Sequence, residues 1–460
     1  MPKSIAIFGG SFNPPGNHHA AIAARLTQSF DEVRVIPCGP RPDKPETDGV
    51  PPVYRAALAD IVFGALPSVV VDLSDFEQES FTRNHELQTR FETQGEVWHV
   101  VGSDLVVGGG RGESLIQRTW EHGEELWSRA HFAVLRRPGY EIDTRDMPPH
   151  AQEIDLMVDG ASSDIRVRLG HGQSVADLVG ARALAYIERY GLYGAPIPGN
   201  WARGSLEDAD FYLQSDAANP KAQRWSAPLV SRSVSATEAS FISVVGGDGS
   251  MLRSIREHWR MRLPFFGVNA GHMGFLLNGI EQVAADAFPP RDVIFRQLPM
   301  LFLEFEDVEG RTHTAHGFND AWLERATSQS AWLEVTVNNV RRIPKLVSDG
   351  ALVATAAGST AYARSMGASP LLADTPAWLL VGSNVLEPAN WRSALLSPDT
   401  TVEIRSLSPE HRPVQAFVDG ESMGRVVSMK ARLSRAAAAE LVFCASHDMA
   451  EKIAAIQFGA

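Results

Sequence analysis

Phe241-Ile-Ser-Val-Val-Gly-Gly-Asp-Gly-Ser250, followed at once by Met251-Leu252, is the stretch from which the fold reads outward. The mostly β-branched run Ile242 to Val245 predicts a buried strand, and Met251, Ile255 and Trp259 recur at helical spacing behind it. Between them lies a turn whose glycines, Gly246, Gly247 and Gly249, let backbone amides approach a ligand at a helix N-terminus, where an anion is favoured. One carboxylate, Asp248, sits inside that turn. It would repel phosphate unless a metal or a proton-transfer task explains it. The turn also has an ordinary reading, in which Asp248 is simply a helix N-cap.

The chain of 460 residues exceeds one ordinary domain, and about 150 residues per domain suggests about three. A formal net charge of −13 argues against a nucleic-acid backbone or an anionic membrane as the main partner. Cys38 and Cys444 are the only cysteines and have no metal-ligand spacing, which points to a reducing compartment. The apolar run at the N-terminus is too short for a signal peptide, and no later stretch approaches a membrane span. The expectation is a soluble cytoplasmic protein.

Upstream of the opening stretch, strand and helix alternate. Ser4–Phe8 reads as a strand ending at Gly9-Gly10, and Ala20–Leu26 as a helix with Asn17 as its cap. Strands are expected at 32–37, 69–73, 96–101 and 131–135, and helices at 53–63, 82–91 and 121–128. Strict alternation predicts a parallel, doubly wound sheet with ligands at the carboxyl ends of its strands. Gly9–His19 and Gly102-Ser-Asp104 fall at such ends. The glycine-rich 108–112 lacks Gly-Lys-Ser/Thr and reads as a mobile loop, not a phosphate-binding one. Cys38 reads as a packed thiol.

Residues 3 to about 194 resemble the nicotinamide/nicotinate mononucleotide adenylyltransferases of the nucleotidylyltransferase superfamily. The residues that carry the likeness are Gly9-Gly-Ser-Phe-Asn-Pro14 with His19, Pro42-Asp43-Lys44, Gly102-Ser-Asp104, Trp120, and Ser162-Ser163-Asp-Ile-Arg166. Gly16 stands where the superfamily's His-x-Gly-His signature has its first histidine. The resemblance implies adenylyl transfer from ATP, with His19 donating to the α-phosphate oxygens. Gly9, Gly10, Ser11, Phe12, Lys44 and Gly102 are expected to bind the nucleotides, Asp104 to accept from a ribose hydroxyl, and Trp120 to stack on the pyridine. Trp120 can equally be a core residue. A serine-led helix N-terminus (Ser162, Ser163) with Arg166 would hold the leaving phosphates. Mg²⁺ is expected to be shared by the phosphates, with no protein ligand set of its own.

Proline, glycine and charge without periodicity mark 195–207 as a linker. A short strand at 211–214 and a helix at 220–234 precede the opening stretch. From about 208 to 445 the chain resembles NAD kinase, whose Gly-Gly-Asp-Gly-Thr motif is here Gly246-Gly-Asp-Gly-Ser250. Phe266-Gly-Val-Asn269 through Leu276, Asn319-Asp320, Asp349-Gly350, Thr355-Ala-Ala-Gly-Ser-Thr-Ala-Tyr362 and Phe417-Val-Asp-Gly-Glu421 follow in order. The resemblance implies 2′-phosphorylation of NAD with Asp248 as the base. Asn269, Asn319, Asp320, Asp349, Thr355, Ser359, Thr360, Ala361 and Tyr362 would be nucleotide-binding. Alternating stretches at 301–306, 332–339, 400–405 and 414–418 suggest antiparallel β-structure.

The expectation is therefore an α/β protein with an N-terminal doubly wound Rossmann-like domain (1–194), a linker (195–207) and an NAD-kinase-like domain (208–460). The last would comprise an α/β lobe (about 208–280) and a β-rich, sandwich-like lobe (about 281–445). Its partners would be ATP, nicotinamide or nicotinate mononucleotide and NAD, with Mg²⁺, in a homo-oligomer. Still open at this point are an N-terminal domain that only senses nucleotides, adenylylation of another small phosphate, and polyphosphate as the kinase donor.

Overall fold

The computed structural model describes residues 2–41, 49–137, 139–140, 143–157, 160–194, 199–389, 391 and 393–458. Lys44, with Pro42 and Asp43, lies outside them. The chain divides into two compact units, Met1–Pro198 and Gly199–Ala460.

The first unit is built on strands β1 (Ser4–Gly10), β2 (Glu32–Pro37), β3 (Val69–Val71), β4 (Glu96–Gly102), β5 (His131–Arg136) and β6 (Ala151–Met157). They form one sheet in the order β3-β2-β1-β4-β5-β6, parallel throughout. The order reverses between β1 and β4, so the loops after these two strands open into the crevice where doubly wound sheets bind ligands. β1 is apolar because both faces are covered: Ile5, Ala6, Ile7 and Phe8 are all buried.

Several sequence boundaries shift for local reasons. Asn17 is not the helix cap. The helix Asn17–Leu26 starts one turn earlier than expected and is capped by Gly16, while the Asn17 side chain donates to the Asp177 carbonyl. The expected helix 121–128 begins at Gly123, because His122 adopts φ 56°. The expected strand 69–73 stops at Val71, and a short helix, Ser74–Gln78, follows it. The glycine stretch 108–112 is folded into a 3₁₀ turn, with the Asp146 carboxylate accepting from the amides of Gly108 and Gly110.

In the second unit, part of the stretch read as a linker is a strand. β7 (Trp201–Gly204) pairs antiparallel with Val293–Arg296 of the long strand Val293–Asp307. β8 (Phe211–Ser215), β9 (Phe241–Gly246) and β10 (Phe265–Asn269) then pair in parallel. The helix expected over 220–234 is α-helical only to Ser226 and continues as 3₁₀ through Arg232, with Pro228 in the transition. All six residues of β9 are buried. Ile242 and Val244 face one apolar cluster with Met251, Ile255 and Leu277, whereas Phe241 and Val245 face another with Phe211, Phe266 and Val268. Each such fully buried side chain contributes about 1.5–3 kcal/mol of transfer free energy.

The β-rich lobe is one continuous antiparallel path over a shared core in which Leu301, Leu323, Leu333, Val353, Trp378 and Ile404 meet. Its longest strand, Glu421–Cys444, had no counterpart in the alternation pattern. That strand runs on into the α/β lobe, where Leu441 and Val442 pair in parallel with Phe265 and Phe266. Residues 293–299 and 438–444 thus extend the sheet of the first lobe, so the lobe boundary near 280 is crossed twice.

Candidate active sites

In the first unit, the loop after β1 is held by its own carbonyls. Arg55 Nη2 donates to Ser11 O at 2.7 Å and to Cys38 O at 2.9 Å. Ser162 Oγ donates to Pro14 O at 2.8 Å and Arg166 Nη1 to Asn13 O at 2.7 Å. Tyr193, half-buried, donates its hydroxyl to Asn13 Oδ1 at 2.9 Å. Ser162 and Arg166, far away in sequence, are thereby brought to the Gly9–His19 loop, at the start of the helix Ser162–Gly170. Arg55 and Tyr193 had not been expected there. Arg55 and the run ending at Tyr193 carry part of the family likeness in the sequence, but their hold on this loop is set by tertiary packing.

His19 occupies the first turn of the helix, with Ala23 and Leu26 buried on the same stripe. Its Nδ1 accepts the Gly16 amide at 3.2 Å. The proton of the neutral ring therefore lies on Nε2, which leaves a donor available. Burial, with His18 and Arg137 adding to it, pushes its pKa down to about 3, so the ring is neutral across the physiological range. Phe12 was expected at the ligand, but its side chain turns inward. It is buried at φ 42°, with its ring 5.0 Å from His19 and 5.1 Å from Phe63. It backs the imidazole. Gly9 has open space where a side chain would stand, whereas a Cβ on Gly10 would meet the Phe12 ring at 2.9 Å.

At the end of β4, a Cβ on Gly102 would lie 2.3 Å from Asp104 Oδ1, so any other residue there would push that carboxylate aside. Arg137 Nε stands 3.3 Å from the same oxygen. Trp120 is half-buried and packs at the edge of the cluster of Val101, Val106, Ile116, Trp127 and Phe132, which favours its core role. Ser163 is at the second position of its helix.

In the second unit, the glycine turn leads straight into the helix Asp248–His258. Gly247 is the cap and Asp248 the first helical residue, so Asp248 is not an N-cap. Its carboxylate reaches away from its own helix: Oδ2 accepts the Phe275 amide at 3.0 Å and Oδ1 the Leu276 amide at 2.9 Å. Burial raises its pKa, and the two amides and the charge of Lys452 oppose the rise. Gly247 and Gly249 face open space. Gly246 is tighter, since its Cβ would meet Ser250 Oγ at 2.5 Å. Asn269 Oδ1 accepts the Gly271 amide at 2.9 Å, and Gly274 packs against the same side chain.

The later motifs converge through Asp419, which the sequence reading quoted but gave no role. At φ 48°, its carboxylate accepts the amides of Phe318 (2.7 Å), Asn319 (2.8 Å) and Asp320 (3.1 Å). Asn319 O in turn accepts the Thr355 amide at 2.9 Å. A Cβ on Gly358 would come within 2.1 Å of that same carbonyl oxygen. Phe318 and Ala357 share one apolar cluster with Met251, Leu276 and Leu277, which draws these segments toward the Asp248 helix.

Two features distinguish this convergence. Asn319 Oδ1 is buried with no hydrogen-bond partner among the described residues, an unsatisfied acceptor of the kind that is rare in a folded interior. Asp320 is buried, and burial with the Asp419 charge beside it raises its pKa to about 7. The hydroxyls of Thr355, Ser359 and Thr360 bond internally, to Phe318 O, Ala356 O and Ala357 O. They shape the turn before Ala361, and Tyr362 beyond it lies edge-on to Trp322 at 5.1 Å. Asp349 is tied elsewhere, accepting from Arg325 Nε at 2.6 Å and Asn384 Nδ2 at 2.7 Å. No described contact joins it to the Asp248 cluster.

Comparison with known proteins assigns each unit. Residues 7–168 match the cytidylyltransferase-like family and residues 208–287 the ATP-NAD kinase N-terminal domain. An NAD kinase of Rickettsia akari (strain Hartford) is 32% identical over 222 residues, covering 48% of this chain and 87% of the relative. That of Rickettsia felis is 33% identical with the same coverage. An NAD kinase from Archaeoglobus fulgidus, solved in complex with ATP, aligns at 18% identity over 53% of this chain and 98% of its own, with a TM-score of 0.41. No helix among the described residues is long and apolar enough to cross a membrane. The chain belongs to the NAD kinase family, its kinase unit preceded by a cytidylyltransferase-like nucleotidyltransferase unit.

Proposed function

We propose that the chain is bifunctional: the first unit transfers AMP from ATP to nicotinamide or nicotinate mononucleotide, and the second phosphorylates NAD at its adenosine 2′-hydroxyl with ATP. The observation that carries the first activity is the pair of bonds from Ser162 to Pro14 O and from Arg166 to Asn13 O. They join the two halves of the nucleotidyltransferase resemblance across 148 and 153 residues. In that reaction a phosphate oxygen of the mononucleotide attacks the α-phosphorus of ATP and pyrophosphate leaves. His19 Nε2–H donates to the α-phosphate oxygens as charge builds there, while Arg166 and the Ser162-led helix hold the departing phosphates. Asp104 accepts from a ribose hydroxyl.

In the kinase unit the 2′-oxygen attacks the γ-phosphorus and ADP leaves, with the hydroxyl proton passing to Asp248. Gly247 and Gly249 leave room for phosphates, and Asn319 and Asp320 take the dinucleotide. Mg²⁺ would arrive on the ATP phosphates. Asp216 Oδ2 and Ser250 Oγ, 3.5 Å apart beside Gly246, would suit a hard cation. Consecutive steps in one chain favour the amide mononucleotide, because the acid product needs amidation before a NAD kinase accepts it.

Purified protein given ATP, Mg²⁺ and each mononucleotide separately tests the reading. NADP is expected from the nicotinamide form. Dinucleotide made only from the nicotinate form would sink the consecutive-step idea, and none from either would leave the first unit a nucleotide-binding module.

A further inference from the structure

Asp248 does not reach its geometry unaided. Both of its oxygens are held by consecutive amides, Phe275 and Leu276, and the carbonyls that bracket those amides are themselves held. Lys452, on the helix Met449–Phe458, donates to Gly274 O at 2.6 Å and to Leu277 O at 2.8 Å. The ammonium therefore pins the loop at both ends, and the loop presents two N–H groups to the carboxylate. Gly274 allows the loop its path, since a Cβ there would meet Asn269 Cγ at 2.9 Å.

We propose that Lys452 is a positioning residue for the kinase reaction: through the loop Gly274–Leu277 it fixes the Asp248 carboxylate. The proposal rests on the reading of Asp248 as the kinase base. A carboxylate that takes a proton from an alcohol must be anionic and aimed before the substrate arrives. Burial raises the pKa of Asp248, and the two amides with the nearby Lys452 charge oppose that rise. The coupling is reciprocal, since Asp248 and Glu281 sustain the charge of Lys452 against its own burial. His447 also lies within reach of Lys452, but burial holds it neutral, with its pKa down at about 3. It adds no competing charge at neutral pH.

The test compares Lys452→Met and Lys452→Arg in the full-length protein, with amide exchange as a readout that does not depend on turnover. In Lys452→Met, exchange at Phe275 and Leu276 should speed up by about tenfold or more. The kcat for NAD phosphorylation should fall about tenfold, with the KM for NAD changing less than about threefold. The acid limb of the kcat profile should move to higher pH, because removing a cation raises the pKa of the base. Lys452→Arg, which keeps the charge, should retain the wild-type acid limb. Unchanged exchange together with an unchanged acid limb in Lys452→Met would overturn the proposal. If Lys452→Met does not fold, Lys452→Gln is read the same way. Should the wild-type protein phosphorylate no NAD, the kinase reading falls. Exchange then still decides whether Lys452 holds the loop, faster exchange supporting the clamp and unchanged exchange refuting it.

Discussion

The turns Gly9–His19 and Gly246–Asp248 are built alike and equipped in opposite senses. Each follows a buried parallel strand, β1 or β9, and runs through glycines into a helix, the arrangement that leaves amides free for an anion. In the first, the key side chain is a neutral imidazole with a free donor, and the loop's carbonyls are tied down by Arg55, Ser162 and Arg166. In the second, it is a carboxylate, gripped by amides whose neighbouring carbonyls are tied down by Lys452. The difference teaches that a glycine turn supplies only the cradle for phosphate. Whether the site gives or takes a hydrogen depends on what the tertiary structure bonds to the turn's side chain.

If that contrast is sound, the two sites can be broken independently. Asp248→Asn removes the acceptor and should lower NADP formation by about 10²–10⁴-fold, while NAD synthesis in the same preparation holds. Retained kinase activity would overturn the assignment of the base. His19→Ala removes the donor and should lower dinucleotide synthesis by about 10²–10³-fold, with NAD phosphorylation unchanged. The wild-type rate should show no acid limb from His19 near neutrality, because its ring is already neutral there.

A smaller effect concerns the buried acid pair. Asp320 has its pKa raised to about 7 by burial and the neighbouring Asp419, so the folded state binds a proton that the unfolded chain releases above the ordinary aspartate range. Stability is therefore lost as pH rises from about 4 to 7. Asp320→Asn should remove that slope: melting curves should coincide with wild type near pH 4 and lie higher, by roughly 3 °C, at pH 8. A steeper loss in the variant would contradict the pairing. Smallest of all, Tyr193→Phe deletes one half-buried hydroxyl bond to Asn13. It should cost about 1 kcal/mol, read as a modest drop in melting temperature and a rise of a few fold in the first unit's KM for ATP.

Much of the architecture was legible because its causes are local. β1 and β5 hold buried apolar runs at 5–8 and 132–135, β2 and β4 are mostly apolar, and the alternation of these strands with helices permits little but a parallel sheet. The failures were also physical. Trp201–Gly204 has a linker's composition yet is a strand, because Val293–Arg296 offers it an edge. Glu421–Cys444 escaped notice because its burial changes along its length, exposed at one end and fully buried over its last residues, so no single period runs through it. Asn17 looked like a cap and was displaced when its side chain found the Asp177 carbonyl.

The same division holds at the sites. The sequence by itself determined the strand–glycine–helix turns, the chemical type of Asp248 and His19, and the order of the motifs, since residue identity and near-neighbour spacing suffice for these. Only the tertiary structure decided which nitrogen of His19 carries the proton, that Asp419 gathers Phe318 to Asp320, and that Lys452 stands behind Asp248. Each of these rests on hydrogen bonds between distant segments, whose partners are chosen by how the sheets bring chain ends together and by the cost of leaving a buried polar group unpaired.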